Sequence, residues 1–388
     1  MSTTFNAIVK DENKNQIICR FVPTMTVPID GGVTVELDYH GWPSICKGDG
    51  DTIYAVSSAR TEHVDPYGAI GFAKSLDGGE TWSDYKLIID TPLDDRDCGV
   101  TYLGNGHLIV IWFTHDAYKY REGGCYSGWR KRSTPEQVAA VDAKFDKLTP
   151  EEGVGGCFVI HSLDDGETWG DPIRLPITTP HGATLMQDGK SLIAVGVPWY
   201  SKLSSLGVDL PGNKLHVIKS TDGGYTWNYL SAIDIQEDLP GVACEAHIIQ
   251  LKDLTYLAAL RCETSGLGMT TYVMRSEDGL KWTLPEKVET CIGAPPHLLQ
   301  LKNGNVLLTY STRVKGGCGE RACISTDGGK TWSNEMIISL ADQVDGWDLG
   351  YPSSVELDNG TIVSAFYQKF EMDPKCSFLY TKWEIEET

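Results

Sequence analysis

Short runs in which apolar residues flank a tight polar turn recur six times along the chain. The six segments are GDGDTIYAV, LGNGHLIVIW, MQDGKSLIAV, LKDLTYLAAL, LKNGNVLLTY and LDNGTIVSAFY. Asn-Gly or Asp-Gly between apolar runs is the strongest short-range signal of a β-hairpin. The pattern therefore predicts six hairpins, with turns at Gly50, Gly106, Gly189, Leu254, Gly304 and Gly360.

A second motif follows every hairpin except the last. Its five copies are SLDGGETW from Ser75, SLDDGETW from Ser162, STDGGYTW from Ser220, SEDGLKW from Ser276 and STDGGKTW from Ser325. In such a turn the Asp side chain accepts hydrogen bonds from following amides, Gly supplies a positive φ, and Trp fills the space beneath. Repetition of this kind is typical of scaffold rather than of a binding site.

The regular alternation of hairpin and motif predicts an all-β, six-bladed β-propeller. After the sixth hairpin only CSFLYTKWEIEE remains, whereas NAIVK and QIICRFV near the other end are strand candidates with no local partner. We therefore expect the two termini to close one shared blade. We also expect a single domain over residues 1–388, with a helical insertion at about 116–153 in blade 2, where STPEQVAAVDAKFDKLTPEEG has a helix start signal.

Charge and composition exclude several classes of partner. A net charge of −20 and no basic run predict that the chain binds neither nucleic acid nor an anionic membrane. Its first residues lack a signal-peptide pattern, and no stretch approaches the ~18 apolar residues that span a bilayer. Eleven scattered cysteines without a CxxC pair suit a reducing compartment. We expect a soluble, cytoplasmic protein without a cofactor or a structural metal.

Alignment of the six turns brings polar residues into equivalent positions. Nine residues before the turns stand Gly41, Asp97, Pro180, Glu245, Pro295 and Tyr351, and seven before stand Pro43, Gly99, Gly182, His247, His297 and Ser353. The innermost strand of each blade lines the axis of a propeller, so these residues are expected at one shared mouth. The alternative is that they are ordinary residues at the starts of strands.

The five repeated turns resemble the Asp-boxes of sialidases and related propellers. The stretch ACEAHIIQL is similar to the sialidase strand that bears a catalytic Glu, and LGYPSSVEL is similar to the strand that bears the nucleophilic Tyr. The resemblance implies a retaining exo-glycosidase in which Tyr351 attacks and Glu245 is its base. A phenol, with a pKa of about 10, needs such a base at neutral pH, and sialidases are an exception to the two-carboxylate rule of glycosidases.

The same resemblance implies arginines that bind an acidic sugar. Arg261 in LAALRCE and Arg321 in GERACISTDGG match two members of the sialidase arginine clamp, although arginines in an acidic protein also form surface ion pairs. The stretch YAVSSARTEHVDPYG implies a further sugar-binding arginine, Arg60, and the acid/base residue, Asp65. An Asp before Pro is also a common turn former.

The segment DDRDCG supplies competing candidates. Asp94, Asp95 and Asp97 are alternative acids, and Arg96 lies between them. We expect Arg96 and Asp97 to contact the substrate.

Two positions depart from the sialidase pattern. Gly41 stands where the first clamp arginine is expected, and Gln368 stands where the family has the Glu that supports that arginine. An unpaired buried Glu would be costly without its arginine, so the paired change indicates an altered sugar-binding end.

Histidines offer a second interpretation of the mouth. His181, His247 and His297 are expected to contact the sugar, together with His40, His63 and His115 in one cavity. Imidazoles could instead bind a divalent metal or act as general acids and bases in a His-dependent glycosidase or a polysaccharide lyase. A propeller that binds a glycan without turnover remains a further alternative, because fold does not fix function. In each case the expected partner is an oligosaccharide or a small sugar.

Overall fold

The computed structural model describes residues 3–9, 19–21, 25–29, 33–121, 127–198, 214–235, 239, 242–264, 268–314, 316–340, 348–369 and 375–388. Within these residues, six antiparallel sheets of four or five strands are arranged as the blades of a β-propeller. The predicted all-β, six-bladed fold is confirmed.

Each of the first three blades is a four-stranded sheet. Blade 1 contains β5 (Tyr39–Lys47), β6 (Ile53–Arg60), β7 (Ala69–Ser75) and β8 (Lys86–Ile89). Blade 2 contains β9 (Asp94–Gly104), β10 (His107–His115), β11 (Gly156–Ser162) and β12 (Ile173–Leu175). Blade 3 contains β13 (Thr184–Leu185), β14 (Leu192–Gly196), β15 (Lys214–Ser220) and β16 (Asn228–Asp234).

The remaining blades complete the ring. Blade 4 contains β17 (Val242–Gln250), β18 (Tyr256–Thr264), β19 (Gly268–Ser276) and β20 (Glu286–Lys287). Blade 5 contains β21 (His297–Gln300), β22 (Val306–Thr312), β23 (Gly319–Ser325) and β24 (Met336–Ile337). Blade 6 contains β25 (Leu349–Glu356), β26 (Ile362–Lys369) and β27 (Cys376–Glu387), with β1 (Phe5–Val9) and β2 (Cys19–Phe21) both paired to β27. The two ends of the chain therefore meet in blade 6.

The six hairpins join the first two strands of each blade. All six predicted turn residues have a positive φ, including Leu254 at 71°, which stands where the other blades have Gly. The apolar faces of neighbouring blades form the core between them. For example, Val56 and Ile70 of blade 1 share a buried cluster with Val100 and Trp112 of blade 2.

The Asp-box turns have the hydrogen bonds that their sequence predicts. In the first box, Asp77 accepts bonds from the Thr81 amide at 2.8 Å and the Thr81 hydroxyl at 2.6 Å, while Gly79 donates its amide to Ser75. These bonds lower the pKa of Asp77 to about 2. The short fourth box uses Asp278 to accept the amides of Leu280 and Lys281 instead. The boxes serve the scaffold.

Two elements outside the blades pack against blade 1. One consists of the helices α1 (Ala117–Arg121), α2 (Ser127–Arg132) and α3 (Pro135–Phe145), which lie between β10 and β11, with Thr134 capping α3 through a capping box. The other is a hairpin of β3 (Met25–Ile29) and β4 (Val33–Leu37), which sequence analysis missed although the Asp-Gly-Gly between its apolar strands was a signal. No helix among the described residues is long and apolar enough to cross a bilayer.

Candidate active site

A cavity of about 490 Å³ opens between the inner strands of blades 1, 2, 4 and 6. Most of its polar lining is ionisable, and aromatic rings form much of the remainder. The lining residues are Trp42, His63, Val64, Arg96, Asp97, Phe113, His115, Glu245, Arg261, Glu263, Met269, Arg313, Tyr351 and Tyr367.

The same backbone irregularity brings four of these side chains to the cavity. Trp42, Asp97, Glu245 and Tyr351 have φ values of 50°, 45°, 50° and 55°, and each lies at a β-bulge in the first strand of its blade. A positive φ at a non-glycine residue costs of order 1–3 kcal/mol and clusters at functional sites. A bulge also re-aims a side chain. The fold therefore places four strained positions around one cavity.

The predicted register holds for three of these four residues. Asp97, Glu245 and Tyr351 occupy equivalent places in blades 2, 4 and 6. In blade 1 the equivalent residue is Trp42 rather than Gly41. Trp42, Glu245 and Tyr351 each lie five residues before the last paired residue of their strand, but the positive-φ residue of the turn comes one residue earlier in blade 1 than in blades 4 and 6.

Arg261 joins the two residues expected to perform the chemistry. Its Nη1 donates to the Glu245 carboxylate and also to the Tyr351 hydroxyl at 3.3 Å. Its Nη2 lies 3.0 Å from the carboxylate of Glu263 at the exposed rim. All three groups at the centre of this contact are largely buried, with Tyr351 only 6 % exposed.

The electrostatic surroundings shift the pKa values of Glu245 and Tyr351 in opposite directions. Burial alone would raise the pKa of Glu245, but the Arg261 charge and a hydrogen bond from Tyr351 outweigh it and hold that pKa below its ordinary value. Burial, reinforced by the nearby charges of Glu245 and Asp97, raises the pKa of Tyr351 well above 10. At neutral pH the site thus contains an ionised carboxylate beside a protonated phenol.

Blade 2 contributes a carboxyl group and a guanidinium that lie side by side, from Asp97 and Arg96. Asp97 is buried, and its Oδ1 lies 3.5 Å from Arg96 Nε. Burial raises the pKa of Asp97 to about 7, since the Arg96 charge lowers it only in part and Glu245 raises it further. The Arg96 guanidinium lies over the Trp42 ring, 4.5 Å from its centroid.

Comparison with known proteins identifies the family. The family model described as a BNR repeat-like domain matches residues 150–364, more than half of the chain. The chain belongs to this family.

Among curated proteins, a sialidase of Bacteroides fragilis is 23% identical to this BNR propeller over 336 residues. The match covers 80% of the chain and 55% of the sialidase, so the chain spans about half the length of that relative.

Solved structures share the fold at low identity. A Dyadobacter fermentans protein described as of unknown function aligns with a TM-score of 0.68 at 22% identity, covering 95% of this chain and 99% of that one. The NanB sialidase of Streptococcus pneumoniae gives 0.65 at 15%, covering 94% and 71%. The Trypanosoma rangeli sialidase in complex with sialic acid gives 0.59 at 14%, covering 98% and 59%.

One of the two arginines predicted for the clamp lies away from the cavity. Arg321 does not line the cavity, because it lies on β23 and donates to the backbone carbonyls of Gly317, Glu320 and Ser339. Arg313, which sequence analysis missed, lines the cavity instead and is fixed by two bonds to the Leu349 carbonyl. The available signal was its position directly after the apolar strand VLLTYST.

The loop predicted to supply the acid/base residue also lies away from the cavity. The Asp65 carboxylate is fully buried and accepts the backbone amides of Thr61, Glu62 and Tyr67. Arg60 is likewise buried, and its guanidinium donates to Asp94 at 2.7 Å and to the Asp65 carbonyl. Neither residue lines the cavity. Asp65 is the turn former that the sequence left as the alternative.

The three histidines expected at the sugar do not line this cavity, although the His181 ring lies 6.0 Å from the Tyr351 ring. His181, His247 and His297 line a separate cavity of about 350 Å³ formed by residues nearer to the hairpin turns. The His247 and His297 rings stack at 4.5 Å, and burial lowers the pKa of His181 to about 4 and that of His297 to about 3. In the described part of the chain no group of three or more potential ligands is arranged to hold a metal.

Aromatic side chains fill the space beside Gly41. A Cβ at Gly41 would lie 2.9 Å from the Tyr39 ring, whose hydroxyl donates to Asp348 at 2.8 Å. Gln368 is buried, and neither atom of its amide has a hydrogen-bond partner among the described residues. The Tyr39 ring therefore occupies the space that a longer side chain at position 41 would need.

Proposed function

We propose that this BNR propeller is a retaining exo-glycosidase that removes a terminal acidic sugar from a glycan. Tyr351 is the nucleophile and Glu245 is its base. The observation that carries the proposal is the contact of one Arg261 nitrogen with both the Tyr351 hydroxyl and the Glu245 carboxylate inside a single cavity.

The protonation states support this division of roles. A phenol whose pKa is raised stays protonated until a base removes its proton. Glu245, whose pKa is lowered, is ionised and able to accept that proton at neutral pH. An uncharged nucleophile also avoids repulsion by an anionic sugar, which a carboxylate nucleophile would suffer.

The arginines support an acidic substrate. Arg96, Arg261 and Arg313 all line the cavity, and a guanidinium binds a carboxylate through two parallel hydrogen bonds. The replaced Gly41 and Gln368 positions argue that the sugar is held differently from sialic acid in sialidases that have the full clamp. The substrate class proposed is therefore a terminal sugar carboxylate, with sialosides as one member to test.

The reaction follows in two displacements. As Glu245 takes the phenolic proton, the Tyr351 oxygen attacks the anomeric carbon and the bond to the leaving group breaks. Water then attacks the same carbon from the opposite side and gives up a proton, which replaces the one that the leaving-group oxygen took up in the first step, while Tyr351 leaves and recovers its proton from Glu245. Two inversions give net retention of configuration.

A screen of chromogenic glycosides tests the proposal. Sialosides, uronides and deoxy sugars are offered to the wild type, with and without a chelator, and product configuration is followed by NMR. We expect turnover of at least one acidic glycoside with retention, insensitive to chelation. Absence of turnover on the whole panel would favour a propeller that only binds glycans.

The matched variants are Tyr351→Phe and Tyr367→Phe. Both residues belong to blade 6 and line the cavity, and each change removes one hydroxyl. Loss of the nucleophile is expected to lower kcat by at least about a thousandfold. Tyr367→Phe is expected to stay within about tenfold of wild type. Near-native kcat for Tyr351→Phe would refute the mechanism.

A further inference from the structure

The proposed glycosidase needs an acid for its leaving group, and the loop residue expected to supply one cannot. Within the described residues, the contacts of the Asp65 carboxylate go to its own loop and to Arg60, and no part of Asp65 is exposed. A general acid must come within hydrogen-bond reach of the glycosidic oxygen. Another residue has to act.

We propose that Asp97, supplied by the bulged inner strand of blade 2, is the general acid/base of this site. This inference rests on the proposed function and deepens it. Asp97 protonates the leaving-group oxygen while the bond from that oxygen to the anomeric carbon breaks and the bond to Tyr351 forms. In the second step Asp97 accepts a proton from the attacking water as the bond to Tyr351 breaks, and Glu245 returns the phenolic proton.

The geometry favours Asp97 over its neighbours in the sequence. Asp94 is fully buried and is bound by Arg60, Arg96 and Tyr120. Asp95 is fully buried and accepts bonds from Trp112 Nε1 and from Thr91. Neither lines the cavity, whereas Asp97 does.

Asp97 also has the same backbone conformation as the other two reacting residues. It occupies the same left-handed bulge as Glu245 and Tyr351, so all three side chains leave equivalent points of the ring and face one cavity. Its Oδ1 accepts no hydrogen bond within the described chain, although Arg96 Nε lies at 3.5 Å. A buried carboxyl oxygen without a hydrogen-bond donor is rare in a folded protein, and a catalytic role is one reason for such an exception.

The other carboxylates of the cavity have different surroundings. Glu245 is engaged by Arg261, and Glu263 is an exposed residue bound to the same guanidinium. The charged or titratable groups that act on Asp97 come from several elements: Arg96, Asp94 and Cys98 from β9, Arg60 from β6, Glu245 from β17, Tyr351 from β25 and Tyr367 from β26. The resulting pKa of about 7 suits a group that gives up and regains a proton at neutral pH.

Asp97→Asn tests the inference with little disturbance of the backbone, because Asn adopts a positive φ more readily than most residues. Its kcat/KM is measured on two glycosides of the same sugar, one with a nitrophenol leaving group and one with an alkyl leaving group. We expect the alkyl glycoside to lose about 10²- to 10⁴-fold, the usual contribution of general acid catalysis, and the nitrophenyl glycoside to lose far less.

Glu263→Gln is the matched control, since it makes the same carboxylate-to-amide change in the same cavity. It should leave the ratio of the two kcat/KM values unchanged. Added azide should restore deglycosylation in Asp97→Gly and yield a glycosyl azide, while melting temperatures check that each variant is folded.

If Asp97→Asn lost kcat/KM equally on the two glycosides, so that their ratio stayed the same, the role of Asp97 would be overturned. The roles of Tyr351 and Glu245 would not be affected by that result. A wild type that cleaves neither glycoside would overturn the proposed function and this inference together. If kcat/KM depended on the leaving group in Asp65→Asn rather than in Asp97→Asn, Asp65 would be the general acid/base.

Discussion

The guanidinium of Arg96 lies over the indole of Trp42, with its central carbon 4.5 Å from the ring centroid. Trp42 follows Gly41, the position where the sialidase pattern has its first arginine. A cation over an indole is stabilised by about 0.5–2 kcal/mol. Blade 2 thus supplies a guanidinium that lines the cavity, whereas the Arg60 guanidinium of blade 1, 5.0 Å from the same ring centroid, does not line it.

The first prediction concerns this arginine. Arg96→Lys should lower kcat/KM for acidic glycosides by about tenfold to a hundredfold, because a lysine reproduces neither the bidentate fork nor the stacking on Trp42. Neutral glycosides of the same leaving group should be affected much less. Arg275→Lys, a change in an ion pair with Glu286 outside the cavity, serves as the control. An equal effect on acidic and neutral substrates would contradict a role in binding the carboxylate.

A second prediction separates the two arginines of blade 5. Arg313→Lys should raise KM for acidic substrates with little change in the melting temperature. Arg321→Lys should leave KM nearly unchanged and destabilise the protein. It removes buried hydrogen bonds to three backbone carbonyls, which should lower the free energy of unfolding by about 1–3 kcal/mol. Kinetics and urea titrations of both variants distinguish the outcomes. A raised KM for Arg321→Lys alone would restore the original clamp assignment.

The third prediction is that the losses at Tyr351 and Glu245 do not add. Glu245→Gln should lower kcat nearly as much as Tyr351→Phe, and the double variant should resemble Tyr351→Phe, since a base without its nucleophile has no proton to accept. Single-turnover rates of the three variants form the cycle. Fully additive losses would show that the residues act in separate steps.

The fourth prediction links Asp97 to stability. Its pKa is raised from 3.8 to about 7 in the native protein, so the native state binds this proton more tightly than the unfolded state does. The stability contributed by the protonated carboxyl is complete below about pH 4 and is lost as the pH rises through 7.

Asp97→Asn has no carboxyl to ionise in this position. Relative to wild type its free energy of unfolding should therefore rise between pH 4 and pH 8, by up to about 4 kcal/mol. Urea unfolding of both proteins at the two pH values measures the difference. No change in the relative stability across this range would mean that Asp97 ionises normally in the folded protein.

Much of the scaffold was decided by the sequence alone. The six turns and the five Asp-boxes depend on contacts between residues within about four positions of one another, such as Asp77 with Thr81, so neighbouring letters were enough to predict them. The equivalence of Asp97, Glu245 and Tyr351 also followed from counting back from the turns, because strand side chains repeat at a fixed spacing.

The composition of the cavity was decided only by the tertiary structure. A bulge in blade 1 brings Trp42 rather than Gly41 to the mouth, and a one-residue shift of this kind leaves no mark in a spacing rule. Asp65 matches the expected motif, yet its own loop amides occupy it. Arg321 precedes an Asp-box as the sialidase pattern requires, but it lies on β23 outside the cavity while Arg313 lines it. These outcomes depend on contacts between segments that are distant in the sequence. Which side chain meets a given donor or fills a given space is decided only when the blades pack together.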